Sequence, residues 1–268
     1  MKLLNKEWGT LKCTKLLYFF DLDGTLFDDD KHVPAQSIAA IKEMSANNIL
    51  SVISTGRNVF EVQNVLDETN ITSIVSANGS YVQYEGKKLH QEVIDTDLIQ
   101  AFTAFANQLN NPVAYYNNRA FRLTEENADT IENYKLLHLE PHVDPTFYQK
   151  EPINFMNVFN RDQEDLFSKK FNGELSLVRN NPRCLDTMKA GVSKRTGIEI
   201  LLSAAHLEGI HTFAFGDQLN DLQMFDMVDT PVAMGNGVPE AKQKAAFVTT
   251  TNMDNGIVNG LRHFDLIK

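Results

Sequence analysis

The chain has 268 residues, 43% of them hydrophobic, and a formal net charge of −10. That length allows one large domain or two smaller ones, and so acidic a chain gains nothing from counterion release, which excludes nucleic acid as a general partner. Two cysteines without a CxxC (Cys13, Cys184), no apolar run near the roughly 20 residues that span a bilayer, and an N-terminus broken by Asn5, Lys6, Glu7 and Gly9 lead to a soluble, cytoplasmic protein as the expectation.

Residues 1–14, with Trp8 among them, carry no clear periodicity. LLYFF (16–20) is a continuous apolar run, the pattern of a strand buried on both faces. Pro34 opens a helix in which Ile38, Ile41 and Met44 recur at a spacing of three. ILSVIS (49–54) predicts a second strand, VFEVQNVL (59–66) a helix and ITSIVSAN (71–78) a third strand. This alternation implies βαβ units and a parallel sheet. Near residue 80 the rhythm changes. SYVQYEGKKLHQEVI (80–94) alternates about Glu85-Gly86 as an antiparallel hairpin does, and Leu98, Phe102, Phe105 and Leu109 then mark a helix face. Further on come a strand pair (112–123), a helix (about 126–138), a strand (153–159), a helix (162–171) and a strand (175–180). Parallel alternation resumes with a helix inside 191–209, the strand HTFAFGD (211–217), and strands and helices to a terminal helix holding Ile257, Val258 and Leu261. The expected architecture is a discontinuous α/β unit, 1–83 with 187–268, interrupted by an α+β unit at 84–186.

Three of these strands end in a residue with chemistry: Asp21, Thr55 and Asp217. In an open parallel sheet ligands bind beyond the carboxyl ends of the strands, so the three side chains are expected in one crevice. Lys194 opens a helix and could join them. An aspartate can attack phosphorus, and a carboxylate approaches a phosphate dianion only where cations offset the repulsion. Mg²⁺ suits that need, because it prefers oxygen ligands and pairs one or two carboxylates with a phosphate. Asp21 and Asp217 would supply carboxylates. Lys194 and the Thr55 hydroxyl would hold phosphoryl oxygens, and N–H groups from Leu22 to Thr25 could add donors where Gly24 lets the loop turn.

DLDGT (21–25), STGR (54–57), GVSK (191–194) and GDQLND (216–221) resemble, in order, the four motifs of the haloacid dehalogenase-like phosphatases, and the insertion between the second and third resembles the Cof-type, subfamily IIB branch. The likeness extends to SANG (76–79) and AMGNG (233–237) and covers the core almost end to end. It implies a Rossmann-like core with an inserted type C2B cap that closes over the site and selects the leaving group. It implies that Asp21 is the nucleophile and Asp23 the acid and base. Phosphate would be bound by Leu22, Thr55, Gly56, Lys194 and Asn220. Mg²⁺ would be held by Asp21, Asp217 and the backbone carbonyl of Asp23, with Asp221 behind them, and Asn78 and Gly79 would lie on the substrate side. The activity implied is Mg²⁺-dependent hydrolysis of phosphomonoesters of small metabolites, sugar phosphates first, through an aspartyl phosphate. A sugar phosphomutase and a non-catalytic sensor of a phosphorylated metabolite are the alternatives.

The other features have plainer readings. Asp28, Asp29 and Asp30 suit a solvated loop and helix N-terminus. GNG (235–237) lacks the third glycine of a dinucleotide fingerprint and reads as a turn near the site. Arg57 is left outside the catalytic set. Arg119, Arg122, Lys135, Arg179 and Arg183 are unranked candidates for contact with a substrate.

Overall fold

The computed structural model of the chain describes residues 16–268. The N-terminal stretch with Trp8 and Cys13 lies outside the described residues.

The larger sheet has eight strands in the order β13-β12-β11-β1-β2-β3-β4-β5. Its centre is β1 (Leu16–Phe20), flanked in parallel by β2 (Leu50–Ser54) and β11 (His211–Gly216). Every residue of β1 is buried, as its unbroken apolar run requires. Leu16, Tyr18 and Phe20 face a layer with α1 (Ala35–Ala46), α2 (Gln63–Thr69) and α10 (Gly256–His263). Leu17 and Phe19 face the other layer, with α7 (Lys194–Ala204), α8 (Leu222–Phe225) and α9 (Pro239–Lys244). Tyr18 stacks on Phe213 at 4.3 Å between ring centroids, so the middle of the sheet carries an aromatic stripe. Parallel β12 (Thr230–Ala233) and β13 (Phe247–Val248) complete one edge.

At the other edge the hairpin predicted at 80–94 forms as β4 (Tyr81–Tyr84) and β5 (Lys87–Gln91), joined antiparallel. It does not open the inserted unit. β4 pairs with β3 (Ile74–Ser76), so the hairpin extends the larger sheet and strand pairing there runs past residue 84. The smaller, five-stranded sheet has the order β7-β6-β8-β10-β9. Its strands are β6 (Val113–Tyr116), β7 (Phe121–Leu123), β8 (Phe155–Phe159), β9 (Leu175–Asn181) and β10 (Cys184–Lys189). β10 was not foreseen, and it places residue 186 inside a strand rather than at a boundary. One face packs on α3 (Thr96–Gln108) and α6 (Glu164–Lys170), with Phe102, Phe167 and Phe171 clustered. The opposite face carries Tyr116, Phe121, Phe155, Cys184 and Met188, and Ala77, Phe60 and Val192 pack against it. Phe60 stacks on Phe121 at 6.0 Å, so this face is the one turned toward the larger sheet. Two short helices, α4 (Ala128–Leu136) and α5 (Phe147–Lys150), finish the unit.

Helix breaks follow local chemistry. The helix expected at 59–66 is split: a 3₁₀ turn at Val59–Glu61 closes with a capping box between Asn58 and Glu61, and α2 starts only at Gln63. At Gly79 φ is +100°, and an added Cβ would lie 2.1 Å from the Ser193 carbonyl oxygen. The loop after β3 therefore presses its backbone on the start of α7, and the glycine serves that close approach. Gly79→Ala is expected to cost about 1–3 kcal/mol through strain and overpacking. Urea denaturation checks it: the midpoint should fall, and an unchanged midpoint would show that the loop can yield.

Candidate active site

Parallel pairing of β11, β1 and β2 brings their carboxyl ends together, and with them Asp21, Asp217 and Thr55. The Asp21 N–H donates to the Phe215 carbonyl at 3.1 Å, and the Thr55 N–H to the Val75 carbonyl at 2.9 Å, so each side chain is held at the last rung of its ladder. The Leu22–Leu26 loop is a single wide turn in which Gly24 has φ +80°, and an added Cβ there would sit 2.4 Å from Asp217 Oδ2. A glycine is needed because the loop runs directly over the second carboxylate.

Lys194 is the residue that α7 delivers. Ser193 caps that helix by accepting from the Thr196 N–H, which aims the first turn at the strand ends. The Lys194 side chain has no exposed surface, and its Nζ donates to Asp21 Oδ1 at 2.6 Å and to Asp221 Oδ1 at 2.7 Å. Burial alone would push the ammonium toward its neutral form, but the two carboxylates outweigh it and keep Lys194 charged. Asp221 also accepts, through Oδ2, the N–H groups of Asp217 and Gln218, which ties down the loop after β11. Asp217 Oδ1 accepts from the Thr25 hydroxyl at 3.0 Å.

One oxygen from each of Asp21, Asp217 and Asp221 lies within 4.8 Å of the others, in a set that could hold a metal ion. Burial first, and then Asp221 and Asp217, push the Asp21 carboxyl well above its ordinary range, against the pull of Lys194. Burial and Asp221 likewise raise Asp217 to about 6. A hard cation among these oxygens would relieve both. The donor chemistry therefore fits Mg²⁺, and the expected ligand Asp217 is in the cluster. Asp221, expected behind the ligands, is in the cluster as well and is shared with Lys194.

Asp23 is not one of the three clustered carboxylates. Arg57 grips it with a two-pronged fork, Nε to Oδ2 at 2.7 Å and Nη2 to Oδ1 at 2.8 Å, and Lys31 Nζ adds a contact to Oδ1 at 2.7 Å. Desolvation would raise this carboxyl, but the fork and Lys31 prevail and hold it at about 2. Arg57, left outside the sequence-based set, is thus paired with Asp23 of that set. Its signal was its place directly after Thr55-Gly56, though its partner lies 34 residues away.

The remaining candidates have the following surroundings. Thr55 is buried, and its Oγ1 accepts the Arg57 N–H at 3.1 Å. Gly56 faces the Asn78 amide, 3.3 Å from where a Cβ would be. Asn220 is exposed and leans its Nδ2 toward Asn78 Oδ1 at 3.5 Å. Leu22 is buried, and its carbonyl accepts the Phe27 N–H. In the GNG stretch Asn236 Nδ2 donates to the Gly24 carbonyl at 2.8 Å, so this is a turn bracing the Leu22–Leu26 loop. Asp28 Oδ1 accepts the N–H groups of Asp30 and His32, making the acidic run a turn that ends before α1. The arginines of the smaller unit are engaged within it: Arg119 with Glu151, Arg179 with Glu164 and Asn160, Arg183 with Glu132, and Arg122 over the Phe147 ring.

The family described as haloacid dehalogenase-like hydrolase matches residues 18–261. The chain belongs to the haloacid dehalogenase-like hydrolases. The Bacillus subtilis strain 168 protein YkrA is 32% identical over 254 residues, which cover 94% of this chain and 98% of YkrA. A second relative from that strain, 5-amino-6-(5-phospho-D-ribitylamino)uracil phosphatase YcsE, is 26% identical over 253 residues, 93% of this chain and 96% of its own. Among solved structures the subclass IIB sugar phosphatase BT4131 superposes with a TM-score of 0.83 at 24% identity, covering 95% of this chain and 100% of that one. The fold is thus the Rossmann-like core with an inserted cap, and the enzyme is a phosphatase of this family. No helix among the described residues is long and apolar enough to cross a membrane.

Proposed function

We propose that this phosphatase is Mg²⁺-dependent and hydrolyses phosphomonoesters of small metabolites, sugar phosphates first among them, through an aspartyl phosphate. The observation that carries the reading is the buried Asp21–Lys194–Asp221 chain beside Asp217 at the carboxyl end of the sheet. Structural carboxylates are seldom gathered so tightly, and here a buried cation pairs with two of them beside a third. In this reading the unit built on the five-stranded sheet is the cap.

Asp21, Asp217 and the Asp23 carbonyl would hold the ion, with Asp221 supporting the loop. When bound, Mg²⁺ supplies positive charge to the phosphoryl oxygens and the nucleophile. Asp21 attacks phosphorus as its ester bond to the leaving oxygen breaks, and Asp23 gives that oxygen a proton. Asp23 then takes a proton from the attacking water, the Asp21–phosphorus linkage opens, and phosphate leaves. Lys194, the Thr55 hydroxyl and N–H groups at Leu22 and Gly56 hold the equatorial oxygens, where negative charge accumulates. The carboxylate at position 23 is held ionised by Arg57 and Lys31, so proton donation requires it to leave that fork.

Phosphate release over a panel of phosphorylated metabolites tests the proposal. Turnover of a narrow subset is expected with Mg²⁺ and should vanish with EDTA and in Asp21→Asn. Isomerised product with little free phosphate would point to a mutase, and turnover that survives EDTA would remove the metal from the proposal.

A further inference from the structure

One buried carboxylate has no part in that chemistry. Asp186 is 7% exposed and lies in mid-strand on β10, opposite Asn157 of β8. By strand alternation it shares a face with Cys184 and Met188, the face turned toward the larger sheet. Its Oδ1 accepts from Asn157 Nδ2 at 2.9 Å and Asn180 Nδ2 at 3.0 Å, and its Oδ2 accepts from Asn78 Nδ2 at 3.1 Å. Among the described residues no ion pair to it is formed. Burial accordingly pushes the carboxyl up to about 7, against the three amides. A buried charge is ordinarily paired with a cation, and neutral amides are a costly substitute when a packed apolar residue would serve the fold as well.

The position suggests what the cost secures. Asn78 stands between the two units: its amide borders Gly56, takes the Asn220 contact on Oδ1, and reaches Asp186 through Nδ2. An unbroken row of carboxamides and one carboxylate therefore leads from the phosphate-binding loop to the underside of the cap. A carboxylate offers about four lone-pair positions, and three amides fill three, leaving one on Oδ2 beside Asn78. Such a row sets acceptors and donors side by side about the buried Asp186, the complement of neighbouring hydroxyls. It repels a second anion, and it leaves its own polar groups unpaired when an apolar group occupies it.

We propose that Asp186 is a specificity-determining residue, which with Asn78, Asn157 and Asn180 forms a hydroxyl-recognition subsite for the polyhydroxylated leaving group of the phosphoester. The assignment rests on the phosphatase reading above and names the part of that site that reads the leaving group.

The test compares kcat/KM of wild type and Asp186→Asn, with Mg²⁺, on ribose, glucose and glycerol phosphates and on acetyl and phenyl phosphates, which lack hydroxyls. The variant is expected to lose roughly 10- to 100-fold on the polyol esters, mainly in KM, as loss of a charge-assisted hydrogen bond implies, and little on the others. Asn180→Ala, at an exposed position, should give a smaller loss with the same selectivity. Equal losses on both classes would make Asp186 a strut between the units and overturn the assignment, as would no loss on either. A second readout does not need turnover. Polyol phosphates should raise the wild-type melting temperature more than inorganic phosphate does, and Asp186→Asn should abolish the difference. If wild type hydrolyses neither class, acetyl phosphate included, the phosphatase reading fails. The melting data then judge the subsite alone, and an equal effect of both ligands rejects it.

Discussion

Lys194→Met is expected to weaken the fold and the activity together, by the largest margin of any single change in the core. Methionine has nearly the length of lysine but none of its charge. The substitution leaves the Asp21 and Asp221 carboxylates facing one another in a place where neither reaches water freely. Breaking a buried pair by removing one partner costs about 3–5 kcal/mol. The same ammonium is assigned to a phosphoryl oxygen, and removal of one such donor typically costs about 10²–10³ in kcat. Denaturant midpoints and steady-state rates read the two effects separately. The stability loss should shrink as pH falls. Without the lysine the carboxyl of Asp21 rises further, and a carboxyl raised in the folded state withdraws stability as pH climbs through its folded value. A midpoint equal to wild type would mean that the buried chain of charges is not what holds these loops.

Asp23→Asn should separate the two halves of the reaction. Asp23 is 41% exposed in its side chain, so solvent screens its pairs with Arg57 and Lys31 and their loss should cost no more than about 1 kcal/mol. Turnover should fall by about 10²–10⁴, the contribution of a positioned acid and base, while Asp21 can still be phosphorylated. Rapid-quench trapping of labelled protein, set against steady-state release of phosphate, measures both. The deficit should be deepest on esters whose leaving group most needs a proton. Turnover close to wild type would take Asp23 out of the acid–base role. The ion pairs add a requirement: because Arg57 and Lys31 hold this carboxyl at about 2, wild-type Asp23 becomes a donor only after exchanging the fork for another partner.

The reach of the sequence differs from element to element for physical reasons. β1, β2 and β11 were legible because strands covered on both faces are rich in apolar residues, and the change from Phe20 to Asp21 or from Gly216 to Asp217 marks where the apolar run gives way to carboxylates that are themselves buried. The parallel sheet followed from alternation, and the Rossmann-like core from the resemblance of its motifs. β10 was not legible. Asp186, Thr187 and Lys189 give it a polar appearance, and Asp186 is buried against Asn157, Asn180 and Asn78, which no local pattern brings together. The hairpin of β4 and β5 was visible as a hairpin, but nothing in its alternation says which sheet it joins; pairing with β3 decides that. The fork between Arg57 and Asp23 was hidden for a similar reason. Periodicity reports a residue's face, whereas ion-pair partners across 34 positions are set by how the loops meet.

The place of β11 in the larger sheet bears on how the chain becomes active as it is made. β11 sits against β1, with Leu16 opposite His211, whereas the five-stranded sheet is built from one uninterrupted stretch of sequence lying between them. During synthesis the smaller sheet has all its strands while β1 still lacks its neighbour on one side. Contacts between distant positions form late, because the chain must first close the loop that separates them. Asp21 then waits at the end of a half-paired strand until Lys194 and Asp217 emerge. A growing chain thus holds no assembled catalytic centre until β11 is made, and a chain stopped before it ends as a folded cap beside an exposed apolar edge, the kind of species that aggregates or is degraded.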